Sequence, residues 1–149
     1  MNILFVCTGN TCRSPMAEAI SRKLIRENPM RYGNIRVASA GIAAEDGGEM
    51  SEEAKNVLAE KDCSYSQFQS QNIYEELMEQ ADLVLTMGQS HKMLLSAYNK
   101  EWQDKIFTIG EYVGDQAEIA DPFGGDKEEY LACFEELEVK IKDIFNKLT

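Results

Sequence analysis

The sequence predicts an α/β fold: a single domain over residues 1–149, with a parallel sheet wrapped by helices on both faces. Three observations predict it. Short apolar runs of strand length alternate with amphipathic stretches of helix length, the order that produces parallel strands joined by helical crossovers. The run Ala81–Met87 is almost continuously apolar, as a strand covered on both faces must be. The first apolar run breaks into Gly and Asn and then re-emerges as a helix, which is how a ligand-binding strand–loop–helix unit begins. A length of 149 residues with 44% apolar side chains suits one core, and no linker, internal repeat or low-complexity stretch divides it.

The elements follow in order. Ile3-Leu4-Phe5-Val6 is the first strand. The helix after it takes Ser14 as N-cap and Pro15 at its first position, with Met16, Ala19, Ile20 and Leu24 on one face. Ile35–Ser39 is a short strand ended by Gly41, and helices are expected over 51–60 and 73–80. Ala81–Met87 is the third strand, Gln89–Tyr98 a helix, and Lys105–Ile109 the last strand. Tyr130–Leu148 closes the chain as an amphipathic helix, turning Leu131, Phe134, Leu137, Ile141, Ile144 and Leu148 inward. Trp102 is expected to pack over a helix end. In such sheets ligands bind beyond the carboxyl ends of the strands, where Cys7 falls.

Charge and composition narrow the function. Fifteen Lys and Arg face 26 Asp and Glu, a formal net charge of −11, which argues against nucleic acid or an anionic membrane as the main partner. No apolar stretch approaches the about 20 residues of a membrane span, and the first residues read as a core strand rather than a signal peptide. A cytoplasmic protein, most simply a monomer, is expected.

The chemistry is concentrated in Cys7-Thr8-Gly9-Asn10-Thr11-Cys12-Arg13-Ser14. A strand that breaks into Gly and Asn before a helix turns several backbone N–H groups into one small space, where they favour an anion. Arg13 adds a planar cationic fork that matches two phosphoryl oxygens, so the loop suits a tetrahedral dianion. Cys7 lies at its base, and the same positive surroundings favour a thiolate able to attack phosphorus. Thr8, Gly9, Asn10, Thr11, Cys12 and Ser14 thus become candidate phosphate-binding positions. A thiol displacing a phosphate also needs an acid for the leaving group. Asp121, in Ile119-Ala120-Asp121-Pro122-Phe123-Gly124-Gly125, is the candidate because it follows the last strand and can reach the same sheet edge.

The remaining cysteines and the lone histidine offer little. Cys7, Cys12, Cys63 and Cys133 are too few for a disulfide scaffold and lack metal-ligand spacing, so neither metal nor cofactor is expected. Cys63 and Cys133 read as half-buried fillers. His91 reads as a surface residue at a helix start. Cys12, five positions from Cys7, is placed to close a disulfide on an oxidised Cys7 and shield it from further oxidation.

Cys-x5-Arg-Ser at the N-terminus, Ser39-Ala40-Gly41 after the second strand, Ala81-Asp82-Leu83-Val84-Leu85 on the third and Asp121-Pro122 near the C-terminus together resemble the low-molecular-weight protein tyrosine phosphatases over essentially the whole chain. The resemblance implies a four-stranded parallel sheet, no metal or organic cofactor, phosphorylated proteins as substrates and a two-step reaction through a phosphocysteine. It implies Cys7 as nucleophile, Arg13 as phosphoryl clamp and Asp121 as general acid and then base. Asn10, Ser14 and Ser39 match the positions that brace the loop and stabilise the thiolate.

Two departures bear on the substrate. Tyrosine-directed members commonly have Ile or Leu where this chain has Thr11, and an aromatic pair where it has Phe123-Gly124. Both features are similar to the bacterial protein-arginine phosphatase branch, in which Thr11 would select a polar guanidino-phosphate and help place the attacking water. A threonine hydroxyl hydrogen-bonds, whereas a branched alkyl group offers only apolar contact to a phenyl ring. Ile42-Ala43-Ala44-Glu45-Asp46 also carries no aromatic, and Glu45 and Asp46 read as a solvated loop. The competing readings are ordinary phosphotyrosine hydrolysis and, remotely, a flavodoxin-like electron carrier, whose phosphate loop would leave Cys7 and Arg13 without a task. A thioredoxin-coupled arsenate reductase would need a closely spaced redox pair that Cys63 and Cys133 do not supply.

Overall fold

Alternation along β1 (Asn2–Cys7) divides the core in two: Ile3, Phe5 and Cys7 feed one side of the sheet, Leu4 and Val6 the other. This computed structural model describes residues 1–149. After β1 come α1 (Arg13–Glu27), α2 (Pro29–Tyr32), β2 (Arg36–Gly41), α3 (Glu52–Glu60), α4 (Glu75–Gln80) and β3 (Leu83–Thr86). Then follow α5 (Gln89–Tyr98), a 3-10 turn (Lys100–Lys105), β4 (Ile106–Thr108), α6 (Ile109–Tyr112) and α7 (Lys127–Leu148). The four strands are all parallel in the order β2-β1-β3-β4. Cys7 pairs in register with Gly41, and Val6 with Thr86.

The larger core lies between the sheet and α1, α3 and α7, and includes Met16, Ile20, Val57, Phe134, Leu137, Ile141 and Ile144. The smaller one joins Leu4, Val6, Val84 and Ile106 to Met78, Leu95 and Trp102. Trp102 is buried, stacks on Tyr98 and donates its indole N–H to Glu79. The predicted strands and long helices are all present.

Several local expectations are corrected. Helix α1 begins at Arg13 with Cys12 in the N-cap position, so Ser14 is not the cap and Pro15 is the third helical residue. Pro15 is still tolerated because the first four helical N–H groups have no partner within the helix. Helix α7 starts three residues before Tyr130, since the Asp126 side chain accepts from the Glu129 N–H at 3.0 Å and caps it. Cys63 and Cys133 are fully buried rather than half-buried, and burial raises both thiols, Cys133 to about 12. His91 is buried rather than on the surface, because both of its ring nitrogens find partners.

Candidate active site

The chain passes from β1 outward to β2 and returns to β3 on the other side of β1, so a crevice opens at the carboxyl end of β1. Cys7 ends that strand, and the N-terminus of the 15-residue α1 faces the loop that follows. A cavity of about 220 Å³ there is lined by Cys7, Thr8, Gly9, Thr11, Cys12, Arg13, Asp121 and Phe123. The predicted residues have thus been brought together from positions more than a hundred apart in sequence.

The loop is shaped by Asn10, which is fully buried with φ +55°, a left-handed conformation that asparagine tolerates. Its Oδ1 accepts the Gln71 N–H at 2.9 Å, which orients the amide. Its Nδ2 donates to Ser14 Oγ at 2.8 Å and to Ser39 Oγ at 3.0 Å. Ser39 in turn donates to Glu18 Oε1 at 2.7 Å, and Arg22 Nε donates to Glu18 Oε2 at 2.9 Å. Ser14 Oγ, which accepts from Asn10 and also reaches the Ala40 carbonyl at 3.5 Å, lies 2.8 Å from Cys7 Sγ, and the Asn10 N–H adds a second contact to the sulfur at 3.3 Å. Those two contacts hold the sulfur at the base of the cavity. The close passage of β2 requires glycine at position 41, where a Cβ would lie 2.5 Å from the Thr8 carbonyl oxygen.

Arg13 is buried; its Nη1 donates to the Ile119 carbonyl at 3.1 Å, and its Nη2 lies 3.6 Å from Asp121 Oδ2. The Ile119 N–H donates to the Met87 carbonyl at 3.0 Å, tying the Asp121 segment to the end of β3. Asp121 Oδ1 accepts the Phe123 N–H at 3.1 Å, a turn closed by its own side chain. The Asp121 side chain is 51% exposed and Phe123 is 74% exposed, so this wall of the cavity is open. Asn10, Ser14 and Ser39 do not line the cavity; they support it from below. No group of three or more His, Cys, Asp or Glu side chains converges where a metal ion could be held.

Behind the loop, Cys12 Sγ lies 3.2 Å from the Tyr130 hydroxyl and 3.5 Å from Ser51 Oγ, and the Ser51 N–H donates to the Thr11 carbonyl at 2.9 Å. Burial and the Cys12 contact push Tyr130 up to about 12. Glu18, Gln71, Ser51, Tyr130 and His91 are the functional neighbours that sequence reasoning missed. Glu18 had a signal, a carboxylate four residues after Ser14 among helix positions that pack inward. The others are joined to the loop only by tertiary contact.

A thiol that accepts a backbone N–H, a cationic fork and a helix N-terminus at one strand end suit sulfur-based phosphoryl chemistry, and put the molecule in the class of cysteine-dependent phosphatases. The chain belongs to the low molecular weight phosphotyrosine protein phosphatase family, whose model matches residues 2–149. It is 40% identical over 149 residues to a protein-arginine-phosphatase of Bacillus subtilis, covering 99% of this chain and 97% of that one. It is 39% identical over 147 residues to the low molecular weight protein-tyrosine-phosphatase PtpB of Staphylococcus aureus, covering 97% and 99%. Among solved structures, YwlE arginine phosphatase from Geobacillus stearothermophilus superposes with a TM-score of 0.91 at 42% identity, covering 99% of this chain and 92% of that one. A YwlE arginine phosphatase C7S mutant with phosphorylated active-site serine gives 0.92 at 40% identity, covering 99% and 95%.

Proposed function

We propose that this phosphatase hydrolyses phosphoarginine in proteins through a phosphocysteine, and the observation that carries the substrate is Thr11 on the wall of the cavity. Cys7 Sγ attacks phosphorus while the P–N bond breaks, and the guanidine nitrogen leaves with the electron pair and a proton from Asp121. Arg13 and the loop amides hold the phosphoryl oxygens. Asp121, now a carboxylate, takes a proton from water, which attacks phosphorus and returns Cys7 as thiolate with release of phosphate. A hydroxyl at position 11 and an aromatic at Phe123 followed by glycine suit a polar, planar guanidino group. The names of the Bacillus and Geobacillus relatives support the same reading.

Phosphotyrosine hydrolysis is the second reading, and the name of the Staphylococcus relative favours it. Phosphate release from a phosphoarginine and a phosphotyrosine peptide, with Thr11→Ile in parallel and Cys7→Ser as blank, decides between them. The arginine reading requires wild type to prefer phosphoarginine and Thr11→Ile to move activity toward phosphotyrosine. A wild-type preference for phosphotyrosine overturns it. We place the enzyme in the cytoplasm as a monomer.

Oxidation of Cys7 by peroxide to the sulfenic acid, followed by attack of the Cys12 thiol, would form a Cys7–Cys12 disulfide and release water. Mass spectrometry after mild peroxide treatment tests it: a linked peptide is expected, and Cys7 sulfinic acid without one overturns it.

A further inference from the structure

The sole histidine touches the first residue of the catalytic loop, and the mechanism above uses neither side chain. We propose that the Thr8 hydroxyl is an additional hydrogen-bond donor to the phosphoryl group of the substrate, with His91 as the positioning residue that aims it. The proposal rests on the phosphatase reading but not on the choice of arginine over tyrosine.

The direction of each hydrogen bond carries the argument. The Gly88 N–H donates to His91 Nδ1 at 3.1 Å, so Nδ1 presents a lone pair. A neutral imidazole then carries its one proton on Nε2, which lies 3.0 Å from Thr8 Oγ1. Thr8 accepts that proton, and its own hydroxyl hydrogen is left for another acceptor. Thr8 Oγ1 makes no other hydrogen bond within the protein, while Thr8 lines the cavity beside Cys7 and Arg13. Thr8 is exposed at the rim, whereas Cys7 and Arg13 are buried below it. Its hydrogen is therefore placed for a phosphoryl oxygen that faces the rim, during a transfer that spreads charge over all three equatorial oxygens.

The neutral ring is also the one the surroundings favour. His91 is 5% exposed, and burial followed by the positive charge of Arg13 holds it below the usual histidine range. Glu118, the Gly88 backbone contact and Asp121 act with the opposite, smaller effect, and Lys92 on its own helix is paired with Glu111. Glu118 is engaged by the Gln89 N–H at 2.8 Å.

The test compares wild type, Thr8→Val, His91→Ala, His91→Gln and the Thr8→Val/His91→Ala double variant. It reads kcat/KM on phosphoarginine and phosphotyrosine peptides, together with competitive inhibition by inorganic phosphate. Thr8→Val is expected to lower kcat/KM about tenfold or more on whichever peptide wild type hydrolyses, and to weaken phosphate inhibition in parallel. His91→Ala should act in the same direction, and the double variant should be no worse than Thr8→Val alone. His91→Gln retains an amide N–H able to reach Thr8 and should recover most of the loss. A Thr8→Val enzyme within twofold of wild type in both activity and phosphate inhibition overturns the proposal. So do multiplicative effects in the double variant, or a loss confined to one peptide with phosphate inhibition unchanged, which would put the contact on the leaving group. Should His91→Ala fail to fold, Thr8→Val at its exposed position carries the test. Absence of release from both peptides by wild type would instead fail the phosphatase reading, and direct titration with inorganic phosphate by calorimetry, in which Thr8→Val should bind more weakly than wild type, would still report on Thr8.

Discussion

On one side of the cavity Cys7, Asn10, Ser14, Ser39 and Glu18 are buried and linked by hydrogen bonds; across it, Asp121 and Phe123 stand half or more exposed on a loop anchored through Ile119 and closed by the Asp121 side chain. The difference follows from what each side handles. A phosphoryl group has one shape, so the sulfur and its donors gain from being fixed before substrate arrives. The leaving group is part of a protein, and the wall that meets it is open. Rigidity is placed where the chemistry is invariant, and exposure where the substrate varies.

Substitutions on the two sides should therefore separate activity from stability. Cys7→Ser is expected to reduce turnover by at least about 10⁴-fold while the fold persists, measured by phosphate release beside thermal melting. Asp121→Asn should lower kcat about 10²- to 10⁴-fold, with stability within about 0.5 kcal/mol of wild type, because its side chain is exposed. A stability loss as large as that of a buried residue would erase the contrast. Asn10→Ala removes the hub that joins Ser14, Ser39 and the Gln71 N–H, and should cost about 2–3 kcal/mol in denaturant unfolding as well as activity. An Asn10→Ala protein as stable as wild type would mean that the buried relay does not hold the loop.

The smallest effect concerns pH. The folded-state affinity of His91 for a proton is below its unfolded value, so between the two the unfolded chain binds more protons and stability rises with pH. The contribution of His91 is complete above about pH 6.5 and is lost as pH falls through its lowered folded value. Unfolding free energies measured across this range should show a slope for wild type that His91→Gln reduces. An identical slope in both would remove His91 as its source.

Legibility differed sharply between local and long-range features. The run Ile3–Val6, the Gly9-Asn10 break and the amphipathic stretch of α7 were legible because strand, turn and helix preferences act over a few neighbours. Cys7 and Arg13 were legible because their spacing within one strand–loop–helix unit is itself the site, and Asp121 because its resemblance to a family position was local. His91 was misread for the opposite reason. A single polar residue at a helix start carries no mark of a partner 83 positions away; the Gly88 amide is local, but only the packing of α5 beside the loop supplies Thr8. The α1 start was misplaced because the Ser14 hydroxyl is drawn to Cys7, a competition no capping preference registers.

What the sequence determined by itself was the order of strands and helices and the strand–loop–helix unit that carries Cys7 and Arg13. Each depends on residues adjacent in the chain, where backbone geometry and side-chain type act directly. The tertiary structure alone decided that Glu18, Ser39 and Gln71 would orient Asn10, that Asp121 would stand 3.6 Å from Arg13, and that His91 Nε2 would stand 3.0 Å from the Thr8 hydroxyl. Those are directions of hydrogen bonds and charges between distant segments, and they exist only once burial has fixed both partners in space.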